Sequence, residues 1–247
     1  MRRTAIGAVA ILLAAAVSGA TGLDDLRAAL DKLRSREAIR ARITQENSGA
    51  YEDEGQRRTR QARAAIVAED GGPGQPLKLV YDDAMLAQAS REQAGRRDSR
   101  GPADAVRDLD ALRVLELLRP AEELLDDLTG AQLLSESADR VAGRSARALE
   151  VTMRAPRGLD REKGFKVTRS ARIWIDGAGA PLASEIRVHT EVRRFIFKVR
   201  FDTVEKNEYA VASHRLLTRR RDAVNRWKAW IIAEGESRSL TTVEVVE

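Results

Sequence analysis

The apolar positions of this chain alternate between a helical period of three to four residues and a strand period of two. Leu26, Leu30 and Leu33 recur at helical spacing, with Thr21 as an N-cap and Asp24 three residues on, which predicts an amphipathic helix ending near Ser35. The segments 38–47 and 60–70 are short and half apolar, separated by Ser-Gly and Glu-Gly-rich sequence. After Gly71-Gly72-Pro73-Gly74, Leu77, Leu79 and Tyr81 alternate, so three strands are expected here. Between about Asp83 and Gly130 the helical period returns. Leu109, Leu112, Leu115 and Leu118 share a face, Pro120 suits a first-turn position, and Leu124, Leu125 and Leu128 continue to Gly130. The stretch from Gly95 to Pro102 has no large apolar residue to bury and reads as a loop.

Beyond Gly130 the two-residue period predicts a meander of antiparallel strands. Leu149, Val151 and Met153 alternate with their neighbours. Phe165, Val167, Ala171, Ile173 and Ile175 share one face, with Arg169 the exception. Asp176-Gly177-Ala178-Gly179-Ala180-Pro181 reads as a turn, followed by Ile186, Val188 and Val192. Phe195, Phe197, Val199 and Phe201 repeat the pattern with opposite parity, so a tight turn or a β-bulge belongs at Arg193-Arg194. Further strands are expected around 209–217, 227–233 and 240–246. Aromatic residues crowd the last third of the chain, which places the best-packed part of the core there.

The first twenty residues change this picture. Arg2 and Arg3, the apolar run from Ala5 to Val17 and Ser18-Gly19-Ala20 have the layout of a secretory signal peptide cleaved before Thr21, an uncleaved anchor being the alternative. The run is shorter than the ~18 residues of a membrane span. The expected mature protein is thus a single soluble domain, 21–247, in the periplasm. The 43 Lys and Arg nearly balance the 38 Asp and Glu, and losing Arg2 and Arg3 lowers the formal charge from +5 to +3. Dense mixed charge of this kind argues against nucleic acid as partner. The absence of cysteine removes disulfides, a thiol nucleophile, thiolate metal sites and lipidation at the cleavage site.

No motif names a reaction. His189 and His214 are the only histidines and lack metal-ligand spacing; Gly143-Arg144-Ser145-Ala146-Arg147 departs from the nucleophile elbow at its last position. No phosphate-binding or dinucleotide motif occurs. Glu122-Glu123 and Asp126-Asp127 fit a solvated helix face. The expectation is a non-catalytic protein with no cofactor, no metal and no catalytic residue.

A leading helix, a many-stranded antiparallel sheet, helices inserted partway, and Trp174-Ile175-Asp176 running through a Gly-containing turn to Pro181-Leu182 together resemble the periplasmic lipoprotein-localisation-factor (LolA/LolB-like) superfamily. The resemblance implies an α+β fold: a curved antiparallel β-sheet forming an unclosed half-barrel, with the N-terminal helix and the insert at about 83–130 as a lid. It further implies an apolar cavity for a lipid or lipoprotein acyl chain, with Ile173, Ile186, Val188, Phe197, Val199 and Phe201 as its wall. In a closed sandwich the same stripe would be core. Arg219, Arg220 and Arg221 read as a basic turn that could meet anionic headgroups or an acidic partner, or as a solvated hairpin tip. The expected function is that of a periplasmic carrier of an apolar ligand. The alternative is a protein-interaction or sensor module on the same fold, with a filled interior and an envelope protein as partner.

Overall fold

The computed structural model describes residues 21–34, 37–53, 56–72, 74–94, 102–155, 164–194, 197–229 and 233–246, with Tyr51, Glu52, Asp53, Gln56, Pro102, Arg194, Phe197 and Ala233 described by their backbone alone. The signal-peptide expectation, Phe195 and most of the Gly95–Pro102 loop lie outside these residues. Helix α1 (Gly22–Lys32) leads, followed by β1 (Ile39–Asp53), β2 (Gln56–Asp70) and β3 (Leu77–Tyr81). Four helices come next: α2 (Asp83–Ala94), α3 (Pro102–Arg107), α4 (Ala111–Leu118) and α5 (Pro120–Asp127). The chain closes with β4 (Gln132–Val141), β5 (Arg144–Met153), β6 (Phe165–Ile175), β7 (Pro181–Arg194), β8 (Phe197–Ala212), β9 (Arg215–Ala229) and β10 (Ala233–Val245).

All ten strands belong to one antiparallel sheet in the order β3-β2-β1-β10-β9-β8-β7-β6-β5-β4, curved and unclosed. The expected α+β half-barrel is therefore the observed fold. Its topology also explains where the insert sits. β3 and β4 are the opposite edges of the sheet, so the chain linking them has to cross a face, and α3, α4 and α5 pack against it on the way.

Two apolar clusters hold the helices on this concave face. Leu23, Leu26 and Leu30 of α1 and Leu124 and Leu128 near α5 pack on Leu149, Val151, Ile173, Ile175 and Ile186. Ala105, Leu109, Val114, Leu117 and Leu118 cover Ile43, Ala64, Ile66, Leu217 and Val243 at the other flank. Helix α1 starts as the sequence predicts: the Thr21 side chain accepts from the Asp24 amide while the Asp24 carboxylate accepts from the Thr21 N–H. The 176–181 turn forms as expected, with Asp176 Oδ1 accepting from the amides of Ala178 and Ala180. Gly179 has φ +84°, and a Cβ there would meet the Asp25 carbonyl oxygen at 2.6 Å, so glycine lets this turn approach α1.

Three boundaries differ from the expectation, each for a local reason. β1 and β2 run to Asp53 and from Gln56, because Ser48, Gly49 and Ala50 stay in register with Arg238, Ser237 and Glu236 despite carrying no apolar signal. The expected strand 209–217 is broken: β8 and β9 meet in a two-residue turn at Ser213-His214, both at positive φ (49° and 56°), a hairpin geometry that glycine or asparagine usually announces. The parity change near Arg193-Arg194 falls between two paired strands, Arg194 standing opposite Phe197, and not at a bulge within one strand.

A buried ion cluster fastens the α4–α5 corner to the sheet. Asp70, at the end of β2, accepts from Arg119 Nε (2.9 Å) and Nη2 (2.7 Å), from Arg215 Nη1 (2.7 Å) and from the Gly72 amide (3.3 Å). Burial disfavours the ionised carboxyl, but the hydrogen bonds from Arg119 and the charge of Arg215 outweigh it and hold the group below its ordinary range. A lowered pKa adds stability that is present above the ordinary value of 3.8 and is lost as pH falls through the lowered one. Asp70→Asn leaves Arg119 and Arg215 without their countercharge, and urea unfolding is expected to show a loss of about 3–5 kcal/mol. Leu26→Ala, which empties a fully buried position, should cost about 2–5 kcal/mol in the same assay.

Candidate ligand groove

Cross-strand register defines what the concave face presents. In an antiparallel pair, residues directly opposite point to the same side, so each row of partners can be followed across the central strands. One row reads Gln45, Thr241, Arg221, Asn207, Ser184, from β1 through β10, β9 and β8 to β7. Every member is buried and polar. The next rows are Asn47-Ser239-Ala223-Glu205-Ile186 and Gly49-Ser237-Asn225-Thr203-Val188, followed by Gly235-Trp227-Phe201-Thr190.

The buried row carries two hydrogen-bonded networks, one around Gln45 and one around Asn207. Thr241 Oγ1 donates to Gln45 Oε1 (2.5 Å), and Gln45 Nε2 donates to Asn47 Oδ1 and Ser239 Oγ (2.6 Å each). Arg221 Nε donates to Asn207 Oδ1 (3.1 Å), and Asn207 Nδ2 donates to Glu205 Oε1 (2.8 Å) and Ser184 Oγ (3.3 Å). Ser184 in turn shares a hydrogen bond of 2.8 Å with the Tyr209 hydroxyl, whose pKa burial pushes up.

Arg221, only 7% exposed, is met by three carboxylates: Glu116 of α4 (3.3 Å), Glu123 of α5 (3.3 Å) and Glu205 of β8 (3.4 Å). Burial raises Glu123 to about 7; the Arg221 charge opposes that rise, and Glu116, Glu205 and Asp127 add to it. One α5 turn further on, Asp127 pairs with Arg169 of β6, which accounts for the lone arginine in that strand's apolar face. The acidic positions of α5 thus do not form a wholly solvated face: Glu123 and Asp127, four residues apart, both reach the sheet.

The helices leave part of the face uncovered. The open part is a groove of about 960 Å³, lined by residues of β1, β2, β8, β9 and β10 and by Asp104, Arg107, Asp108, Arg113 and Leu117 of the insert. Its floor carries Gln45, Asn47, Thr203, Asn225, Ser237, Ser239 and Thr241, with Arg60, Glu205, Arg221 and Trp227 around them. Asn47 Nδ2 donates to Asp108 (2.7 Å), which ties the insert to the groove floor. The outer face of the sheet carries ion pairs such as Arg226–Glu236 (2.7 Å) and Lys198–Glu191 (2.7 Å), where much of the mixed charge resides.

The expected cavity wall is divided by this arrangement. Ile173 and Ile186 are buried beneath α1 and α5, and Val188 packs against that cluster. Val199 and Phe201 lie further along the face, at the Trp227 end, where Val199 is half-buried and Phe201 is 36% exposed. The basic-turn reading of Arg219, Arg220 and Arg221 is corrected: all three lie within β9, the turn being at Ser213-His214. Arg219 and Arg220 are exposed, whereas Arg221 is the buried partner of the three glutamates. The reason is the strand register, with a shift between Glu208 and Tyr209 opposite this segment. His189 pairs with Asp202 on the outside (2.6 Å) and His214 lies 3.5 Å from Glu37. Among the described residues no three His, Asp or Glu side chains are placed to hold a metal ion, and no helix is long and apolar enough to cross a membrane.

The polar floor escaped the sequence reading because its residues are small and uncharged. A usable signal exists in β10, where Gly235, Ser237, Ser239 and Thr241 alternate with Glu234, Glu236, Arg238 and Leu240. That pattern pairs neutral with mostly charged residues, in place of apolar with polar.

Fold and site together define an unclosed antiparallel half-barrel with a polar groove beside its packed helices. No protein-family profile matches the chain, and no curated protein is significantly similar to it in sequence. Among solved structures, a DUF1329 family protein from Desulfovibrio piger ATCC 29098 aligns over 90% of both chains at 10% identity, with a TM-score of 0.30. MucB in complex with MucA(peri) aligns over 90% of this chain and 93% of that one at 11% identity, with a TM-score of 0.19.

The Glu123 environment gives a pH prediction. A carboxyl whose folded pKa is raised from 4.5 to about 7 binds its proton more tightly in the folded state, so its contribution favours folding below 4.5 and is lost as pH rises from there through about 7. Thermal unfolding across that window should show Glu123→Gln with a flatter pH dependence than the parent chain.

Proposed function

We propose that this chain is a non-catalytic binding protein of the periplasm, and that the groove beside the helices is where its ligand sits. The observation that carries this reading is the groove itself. About 960 Å³ of open space at the centre of a curved sheet, faced by side chains that converge from five strands, falls in the size range of ligand sites, roughly 300–1,000 Å³. The periplasmic assignment rests on the predicted signal peptide and on the resemblance to the lipoprotein-localisation superfamily.

The groove chemistry favours a polar ligand or partner segment over a lipid. A hydrocarbon laid on the Ser237 hydroxyl and the Asn225 amide N–H groups would take them from water without returning hydrogen bonds, at about 1–3 kcal/mol for each group left unsatisfied. The acyl-carrier reading draws support from one place, the far end of the face, where Phe201, Val199 and Trp227 form a half-exposed apolar patch. An acyl chain there would gain about 0.8 kcal/mol per buried methylene.

Material retained by the secreted chain, identified by native mass spectrometry and extraction, tests the reading. Ser237→Trp fills the groove floor at a partly solvent-facing position, and its expected effect is loss of the retained ligand with folding stability changed by less than about 0.5 kcal/mol. Ligand retention unchanged by Ser237→Trp would reject the groove as the site. Retention of a fatty acid that is lost in Phe201→Ser and kept in Ser237→Trp would instead favour the acyl carrier.

A further inference from the structure

We propose that the groove takes an oligosaccharide, with a sugar ring stacked on Trp227 and its hydroxyls read by the amide and hydroxyl side chains of the floor. The inference rests on the groove being the ligand site and deepens that reading by assigning a ligand class.

Trp227 is the aromatic side chain among the residues that line the groove. It stands opposite Gly235 in the ladder, and a Cβ added to Gly235 would lie 2.6 Å from the indole Nε1 and 2.8 Å from Cε2 and Cζ2. The Nε1 edge of the indole therefore packs against β10, at a place only a glycine permits. Phe201, the cross-strand neighbour of Trp227, widens this apolar strip. A flat, half-buried aromatic surface suits the apolar C–H face of a pyranose ring.

The adjoining rows supply the other half of sugar recognition. Next to the Trp227 row lie Ser237 and Asn225, and one row further Asn47 and Ser239. Adjacent strands are about 4.8 Å apart, so donors and acceptors recur across the floor at a spacing comparable with that between alternate hydroxyls of a sugar ring. Amides and hydroxyls both donate and accept, as sugar hydroxyls do, so either group can complete the pairing. An acyl chain would satisfy the strip at Trp227 and strand the floor beside it. An extended peptide pairs best through its main chain with a free strand edge, and the groove floor consists of central strands whose main-chain groups are already used in the ladder.

The test uses the full chain with glucose, N-acetylglucosamine and galacturonate hexamers as probes, read by calorimetry and by tryptophan fluorescence. Palmitate and an extended Ser/Gly peptide serve as the other classes. The expected result is saturable binding of at least one hexamer, weakened about tenfold or more by Trp227→Ala and by Asn225→Leu, and restored toward the parent affinity by Trp227→Tyr. Circular dichroism and the melting temperature establish that these variants fold. Binding of a hexamer that is indifferent to Trp227→Ala overturns the proposal, as does failure of every hexamer to bind. Palmitate or peptide binding that is blocked by Ser237→Trp, in the absence of hexamer binding, overturns the saccharide assignment and leaves the groove as the ligand site. Failure of every probe class to bind overturns both.

Discussion

Arg221 sets the arrangement of the concave face. A guanidinium remains charged at any pH a protein meets, and strand register places this one on the inner side of the central sheet, where water is largely excluded. It must therefore be compensated by the protein. Glu116 and Glu123 come from two different helices and Glu205 from the neighbouring strand, so satisfying Arg221 fixes α4 and α5 over β9. The Asp70 cluster fastens the α4–α5 junction through Arg119, on the side of the β8–β9 turn. With two charged anchors, these helices cannot slide along the face as a purely apolar contact would allow, and the remaining face stays open.

The two apolar clusters and the polar row divide the work. Burial of leucine, isoleucine and alanine supplies most of the attraction between helices and sheet, but apolar contact is non-directional. Removing a partner from a buried hydrogen-bonded network leaves groups unsatisfied, so the row through Gln45, Thr241, Arg221, Asn207 and Ser184 penalises any other strand register or helix position. Burial, with Glu116 and Glu205 adding to it, raises Glu123 to about 7 against the opposing charge of Arg221.

The sequence made the framework legible where apolar residues carried the alternation. The capped helix at Thr21, the strands holding Leu149, Val151, Ile173 and Ile186, the 176–181 turn and the helical insert could all be read from period and turn chemistry. Three features were hidden. Ser213-His214 turns the chain without glycine or asparagine at the positive-φ positions. The glutamates of the insert look like solvated residues until Arg221 is known to face them. The groove floor is made of small neutral side chains that give no apolar period, so attention fell on the stripe from Ile173 to Phe201, part of which is core. Only the assembled ladder brings residues from distant parts of the chain, such as Asn47 and Ser239, into one row.

An unclosed barrel keeps two exposed edges, and each is shaped in its own way. β3 has five residues and offers little ladder to an incoming strand. β4 is longer, but its register with β5 shifts between Leu133 and Ser135, and the strand beyond carries Glu136, Asp139 and Arg140. A kinked edge bearing charges is a poor template for another chain. Curvature can thus leave the sheet open along its length without presenting a free ladder on which copies of the chain would stack.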